Sequence, residues 1–308
     1  MSAQIPSPPT SKSTPGVLTC SWCGTSCAAG GLSCPGCGAN LETPSTPRST
    51  GWTKVPGRKD MARLQFGNSS CQIEGDYVPV AEFRLAAEDS LYFAHHVLLW
   101  KDADLHLSLH RLKGFLRRFF GGMNLILSNA QGPGHVAFSR DAPGELIALP
   151  LRTGGSVDVR EKLFLVATGQ VTYDWFRTKI WYTTRSEREK KNKTHYPVGR
   201  FMDRFSAPST PGLLMLHAAG NVFVRELAVG QNILIRPTAL LFKDPSVQMQ
   251  LHFEQPRRSF QAPGSQWNRC IWLRLTGPGR IAAQSVFEPL EGEHEFILRN
   301  SRSTQFRW

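Results

Sequence analysis

An internal repetition constrains this 308-residue chain more than any other feature: a two-part β signature occurs three times, in the same order. The first part is a pair of apolar runs about a polar turn, reading VLLWKDADLHLSL from Val97, LFLVATGQVTYDW from Leu163 and ALLFKDPSVQMQL from Ala239. Lys101–Asp104, Ala167–Gln170 and Lys243–Ser246 supply turn residues between strand formers, so each copy is expected to fold as an apolar hairpin. The second part is a glycine corner leading into a strand: GPGHVAFS from Gly132, AAGNVFVR from Ala218 and GPGRIAAQ from Gly277. The two parts alternate strictly. A supersecondary unit repeated in this way predicts three similar β modules packed around a pseudo-threefold axis.

Composition agrees. With 27 glycines and 21 prolines the chain suits a turn-dense, all-β body, and 18 phenylalanines and 8 tryptophans can fill its core. The longest apolar runs fall short of the roughly 18 residues that span a bilayer, so no transmembrane segment is expected. The amino-terminal MSAQIPSPPTSKSTPG has neither a signal-peptide apolar stretch nor an arginine-rich amphipathic pattern, which places the expected location in the cytoplasm. The net charge of +12 favours an anionic partner and leaves nucleic acid, phospholipid and acidic protein open. The excess gathers at His110, Arg111, Lys113, Arg117 and Arg118, at residues 185–193, and at Arg299, Arg302 and Arg307 near the end.

The first 60 residues read differently. Cys20, Cys23, Cys34 and Cys37 form a C-x2-C-x10-C-x2-C pattern, and two such knuckles can close a tetrahedral site on a structural Zn²⁺. Gly24 and Gly38 follow the knuckles, where glycine lets backbone N–H groups approach charged sulfurs. Cys27 is a spare thiol in the ribbon, and Cys71 and Cys270 read as ordinary buried thiols. The expected organisation is a disordered terminus over 1–18, a zinc ribbon over 19–39, a flexible linker over 40–60 that lets the ribbon move, a three-repeat β domain over 61–298 and a basic tail over 299–308. The middle repeat carries an insertion, about 182–210, whose charge runs and Pro, Ser and Thr residues predict a mobile loop or short helix.

Three segments carry a resemblance to a known family: Leu112-Lys113-Gly114-Phe115-Leu116-Arg117-Arg118-Phe119-Phe120-Gly121-Gly122, Asp141-Ala142-Pro143-Gly144-Glu145-Leu146, and Gly277-Pro278-Gly279-Arg280-Ile281 with Gln284 and Ser285. In this order they resemble the altered-inheritance-of-mitochondria family, also called the mitochondrial biogenesis family, over about 61–298. The resemblance implies three consecutive β-sandwich units similar to the tryptophan RNA-binding attenuator protein subunit, assembly into a homotrimer, and no catalytic residues to transfer. A relative in this family supports inner-membrane organisation in mitochondria.

Other candidate chemistry is weaker. Gly277-Pro278-Gly279-Arg280-Ile281-Ala282-Ala283 matches a G-x-G-x-x-A dinucleotide pattern, but strand rather than helix is expected to follow it. The nine histidines show no ligand spacing; His95 and His96 are expected on opposite faces of one strand. In LHRLKGFLRRFFGG, Arg111, Lys113, Arg117 and Arg118 surround apolar residues at helical spacing. That suits peripheral contact with an anionic membrane, or else a short connecting helix packed on the sandwich. The leading expectation is a non-catalytic scaffold that binds proteins or a membrane-associated complex. The alternatives are an RNA or single-stranded nucleic-acid binding protein, and a small-ligand or metal-dependent β-sandwich enzyme.

Overall fold

In the computed structural model the described residues are 17–41, 50–57, 61–110, 127–185, 191–254, 270–293 and 296–301, and they are all-β apart from two single 3-10 turns. An amino-terminal ribbon contains β1 (Val17–Thr19) and β2 (Ser26–Ala28), followed by β3 (Thr53–Lys54), β4 (Ala62–Phe66) and β5 (Ser69–Glu74). The first repeat holds β6 (Val80–Leu85), β7 (Ser90–Ala94), β8 (Leu98–Lys101), β9 (Leu107–Leu109), β10 (Leu127–Gln131) and β11 (Gly134–Phe138). The second holds β12 (Glu145–Leu151), β13 (Ser156–Arg160), β14 (Phe164–Thr168), β15 (Thr172–Arg177), the extra strands β16 (Tyr182–Arg185) and β17 (Asn192–His195), then β18 (Phe201–Ser206) and β19 (Gly212–Ala218). The third holds β20 (Val222–Leu227), β21 (Asn232–Ile235), β22 (Leu240–Lys243), β23 (Gln248–Glu254), β24 (Cys270–Thr276) and β25 (Gly279–Gln284), and β26 (Phe296–Asn300) closes the chain.

Each repeat divides its strands between two sheets by one rule. Its first, sixth and third principal strands pair in that order, as β6-β11-β8, β12-β19-β14 and β20-β25-β22. Its second, fifth and fourth pair as β7-β10-β9, β13-β18-β15 and β21-β24-β23. The third strand also bulges at the same place in every copy, leaving Leu99, Leu165 and Leu241 without a register partner on the neighbouring strand. Such a bulge bends the strand and is a designed feature of a sheet.

This topology corrects the hairpin expectation. The two runs of each repeated signature do not pair with one another: β8 and β9, β14 and β15, and β22 and β23 lie in different sheets. The polar turn therefore carries the chain across the sandwich. The glycine corners also cross between sheets, but not at one repeated place. Those at Gly132 and Gly277 join the fifth strand of a repeat to the sixth, β10 to β11 and β24 to β25, whereas the segment from Ala218 joins β19 to β20, the last strand of the second repeat to the first of the third, and so is not a copy of that corner. Glycine is required there by close approach: a Cβ on Gly132 would stand 2.0 Å from the Ala86 carbonyl oxygen, and one on Gly277 2.3 Å from that of Ala228. Because β25 is a strand, the dinucleotide pattern at Gly277 lacks the helix it needs.

Neighbouring repeats share sheets. β7 of the first pairs with β14 of the second, and β13 of the second pairs with β22 of the third. Facing sheets interlock through aromatic rings: Phe93 packs on Phe138 at 4.7 Å between centroids, and Phe164 on Phe205 at the same distance. A second apolar cluster, with Leu240, Ile281, Leu251, Leu273 and Leu275, fills the third sandwich.

Several boundaries move from their expected places. The insertion forms β16 and β17, and its last part is β18, a strand with buried Phe201, Met202 and Phe205. β26 pairs with β16 through Asn300, so Arg299 belongs to a strand rather than a tail, and Val17 and Leu18 belong to β1 rather than to a disordered terminus. The proposed linker supplies β3, which joins β20, and Trp52, which packs on the second cluster; its apolar residues find a sheet edge to cover. His95 and His96 sit in the 3-10 turn His95–Val97, not on a strand.

Candidate metal centre

The ribbon consists of two copies of one local structure offset by fourteen positions. In the first knuckle the Gly24 amide donates to the Cys20 carbonyl at 2.9 Å, and the Cys20 amide to the Thr25 carbonyl at 2.9 Å. In the second, Gly38 donates to Cys34 at 2.8 Å and Cys34 to Ala39 at 2.9 Å. Gly24 and Gly38 hold φ of +73° and +72°, a left-handed conformation that L side chains adopt only with strain. A short antiparallel pairing frames each knuckle, Thr19 with Ser26 and Ser33 with Asn40.

The knuckles bring all four expected ligands together. The sulfurs of Cys20, Cys23, Cys34 and Cys37 lie within 4.8 Å of one another, with Cys20 to Cys37 at 3.8 Å and Cys23 to Cys34 at 3.6 Å. A tetrahedral site with Zn–S bonds of about 2.3 Å needs sulfur–sulfur edges of about 3.8 Å, whereas a disulfide needs about 2 Å. The donor set therefore fits a four-coordinate soft cation and leaves no ligand position for a substrate. Cys20, Cys34 and Cys37 are buried and Cys23 is half-buried. The Gly36 amide approaches the Cys34 sulfur at 3.4 Å and the Cys23 thiol meets the Thr25 hydroxyl at 3.1 Å, contacts that orient the ligands.

Mutual hydrogen bonds, burial and charge repulsion drive three of the clustered thiols apart in acidity. The hydrogen bond from Cys37, opposed by burial, brings the Cys23 thiol down to about 4. Burial pushes Cys34 up to about 12 against the amides of Gly36 and Cys37, and Cys37 is raised by its bond to Cys23 and then by burial. A divalent cation removes that repulsion and displaces the protons, so metal binding and thiol ionisation are coupled. Cys27 stays outside the cluster, with its thiol on the Thr25 carbonyl at 3.4 Å. Cys71 is buried, and Cys270 is half-buried.

The ribbon is docked on the body. The Trp22 indole N–H reaches the Ala148 carbonyl on β12 at 3.4 Å, and the Gln65 amide on β4 donates to the Pro35 carbonyl at 3.0 Å. Cys20, Cys34 and Cys37 lie in the same apolar cluster as Leu146 and Leu149 of β12. Spacing alone does not reveal this docking, because it depends on the exposed edge of a strand more than a hundred residues away.

Other candidate residues are not gathered into a site. Arg111, Lys113, Arg117 and Arg118 lie outside the described residues. His110 stacks on Tyr92 with ring centroids 4.6 Å apart and is held below its ordinary value by burial, so it does not extend that basic cluster. Lys193 of the second basic run pairs with Glu291 at 2.7 Å on the surface.

Two arrangements were not evident in the sequence. Thr184, His195 and Glu291 stand in the order hydroxyl, imidazole, carboxylate, with 2.8 Å from Thr184 Oγ1 to His195 Nε2 and 3.5 Å from His195 Nδ1 to Glu291. Thr184 has no exposed surface, so no substrate atom reaches it and the pair ties β16 to β17. The second is a buried ionic triad. Asp158, fully buried, accepts from Arg204 Nε at 2.6 Å and Nη2 at 3.0 Å and from Lys243 Nζ at 2.8 Å, across the junction of the second and third repeats.

Comparison with known proteins places this fold. A family model described as mitochondrial biogenesis AIM24 matches residues 71–286. Searching curated proteins gave no match. Among solved structures, the crystal structure of a Streptococcus pyogenes protein aligns over 71% of this chain and 94% of its own, with a TM-score of 0.50 and 17% sequence identity, a likeness of fold alone. With the family model spanning all three repeats, the chain belongs to the mitochondrial biogenesis AIM24 family.

Proposed function

We propose that this protein is a non-catalytic scaffold whose β body binds proteins or a membrane-associated complex, with a structural Zn²⁺ that fastens the ribbon to that body. The observation that supports this reading is the cysteine cluster: four sulfurs at ligand spacing would fill a tetrahedral site with no place left for a substrate, and the ribbon they form covers β12. A metal held this way stabilises structure and activates no water. Four free thiols at ligand spacing also fit a reducing compartment such as the cytoplasm. No described helix is long and apolar enough to cross a membrane, so association with a membrane complex is peripheral in this reading.

The test begins with zinc content of the purified full-length chain, expected at one ion per chain. The zinc-loaded protein is then titrated with labelled single-stranded RNA and, separately, with anionic vesicles at several salt concentrations. Micromolar RNA binding that falls steeply with salt would replace the scaffold reading with nucleic-acid recognition. Substoichiometric zinc in a folded, reduced ribbon would remove the structural metal.

A further inference from the structure

Equivalent arginines of the second and third repeats differ in what meets them. Arg160 stands four positions before the first residue of β14, and Arg236 four positions before the first residue of β22, so the two hold one place in the repeat. In the third repeat that arginine has a carboxylate of its own: Glu293, 8% exposed, accepts from Arg236 Nη1 at 2.7 Å and from Nη2 at 2.9 Å. In the second, Arg160 Nε is buried without a hydrogen-bond partner. Burial holds the Arg160 guanidinium below its ordinary value, and Glu288 and Glu161 oppose that through charge alone. A guanidinium stays protonated, so burying it without a matched anion is costly.

Arg160 belongs to the wall of a cleft of about 490 Å³, a size typical of small-molecule sites. Residues 160–163, 196–200 and 288–291 form its sides. Arg140, Arg160, Lys162 and Arg200 line it together with Glu161, Glu288 and Glu291. Two of those three carboxylates are engaged elsewhere: Glu161 accepts from the Arg200 backbone amide at 3.1 Å, and Glu291 is bound to Lys193 at 2.7 Å. Positive charge is therefore in excess. Tyr196, 40% exposed, adds apolar surface with Pro289 and Leu290. A guanidinium fork beside an apolar wall recognises a carboxylate carried on a hydrocarbon or aromatic body.

We propose that this cleft binds a small organic monocarboxylate, whose carboxylate takes on Arg160 the place that Glu293 takes on Arg236 and whose apolar body lies against Tyr196 and Leu290. A carboxylate is the matching anion because the third repeat already seats one on the equivalent arginine, in fork geometry. Binding here is independent of the scaffold reading, since no protein, RNA or membrane partner enters it.

Isothermal titration calorimetry of the zinc-loaded full chain with benzoate, acetate and inorganic phosphate, at fixed ionic strength, tests it. Benzoate is expected to bind at about millimolar affinity, and more tightly than acetate, which lacks the apolar body. Arg160→Gln should weaken benzoate at least about tenfold, and Arg160→Lys, a point charge without the fork, about three- to tenfold. Arg84→Gln, at an exposed position of β6, should leave binding unchanged. Without ligand, Arg160→Gln is expected to melt no lower than the wild type, because it removes an unmatched buried charge. Four results would each overturn the proposal. They are no saturable benzoate binding at about 20 mM, well above the expected affinity; phosphate bound more tightly than benzoate; benzoate binding unchanged by Arg160→Gln and Arg160→Lys; and a lower melting point for Arg160→Gln, which would mean that Arg160 already has its partner.

Discussion

Asp158 provides the sharpest stability test, because its three charge-assisted bonds bind two repeats in a place water does not reach. Lys243 is 5% exposed and Asp158 0%, whereas Arg204 is 39% exposed and its head can turn to solvent. Asp158→Ala strands Lys243 as an uncompensated buried charge, an event that costs about 3–5 kcal/mol. Arg204→Ala leaves the Asp158–Lys243 pair intact and loses its bonds to Asp158, about 1.5–3 kcal/mol, together with its contact over the Phe176 ring, about 0.5–1 kcal/mol. A double replacement, Asp158→Leu with Lys243→Met, removes both buried charges at once and should recover most of the loss, to within about 2 kcal/mol of the wild type. Urea unfolding at pH 7, with the slope checked for constancy across the variants, reads all three. If the double replacement costs the sum of its two single changes, the ions do not act as a coupled unit and the reasoning fails.

Four further outcomes are expected. Cys34→Ser should abolish stoichiometric zinc and expose residues 20–38 to limited proteolysis while the β body keeps its circular dichroism signature; proteolytic resistance equal to wild type would contradict the metal's structural role. Gly38→Ala, at φ +72°, should cost about 1 kcal/mol and weaken zinc retention against a competing chelator, whereas Gly57→Ala, whose Cβ meets nothing within 4 Å, serves as the neutral control. Gly132→Ala should destabilise by about 1–3 kcal/mol in thermal melts, because its Cβ would overlap the Ala86 carbonyl. His217, His96, His110 and His252 are all held below the ordinary histidine value of 6.5, chiefly by burial. The unfolded chain therefore takes up protons first. Stability from these groups is complete above about pH 6.5 and declines as the pH falls below it, and His217→Gln should flatten that decline in urea midpoints measured between pH 7.5 and 5.5.

The threefold body was legible because its signal is internal: three polar turns recur between the third and fourth strands of the repeats, and two glycine corners, at Gly132 and Gly277, recur between the fifth and sixth, while the segment from Ala218 only links one repeat to the next. What the sequence did not betray is which strand each run pairs with. Four polar residues between apolar runs suit a hairpin and an inter-sheet crossing equally well, and the difference lies in partners such as Met215 for Val166 that stand far along the chain. A clue existed in LFLVAT and ALLFK, whose continuous apolar character fits a central strand buried on both faces better than the alternating pattern of an exposed hairpin. The cluster of four cysteines was legible for the opposite reason, since C-x-x-C-G fixes local geometry without distant help. The Asp158 triad was not, because a lone Asp in SVDVR acquires its two cations only when β18 and β22 flank it.

Sheets shared between repeats also set a timetable for synthesis. β7 is complete at Ala94, yet its partner β14 ends at Thr168, so that edge stays open until the ribosome has made and released many more residues. The wait recurs for β13, which ends at Arg160 and meets β22 only after Lys243 has emerged. A nascent chain thus passes through stages that each display one unfinished sheet edge, the kind of surface that draws chaperones or neighbouring chains on the same message. The ribbon, translated before β12 and framed by its own short pairings, is ready to take its place beside that strand as soon as it appears.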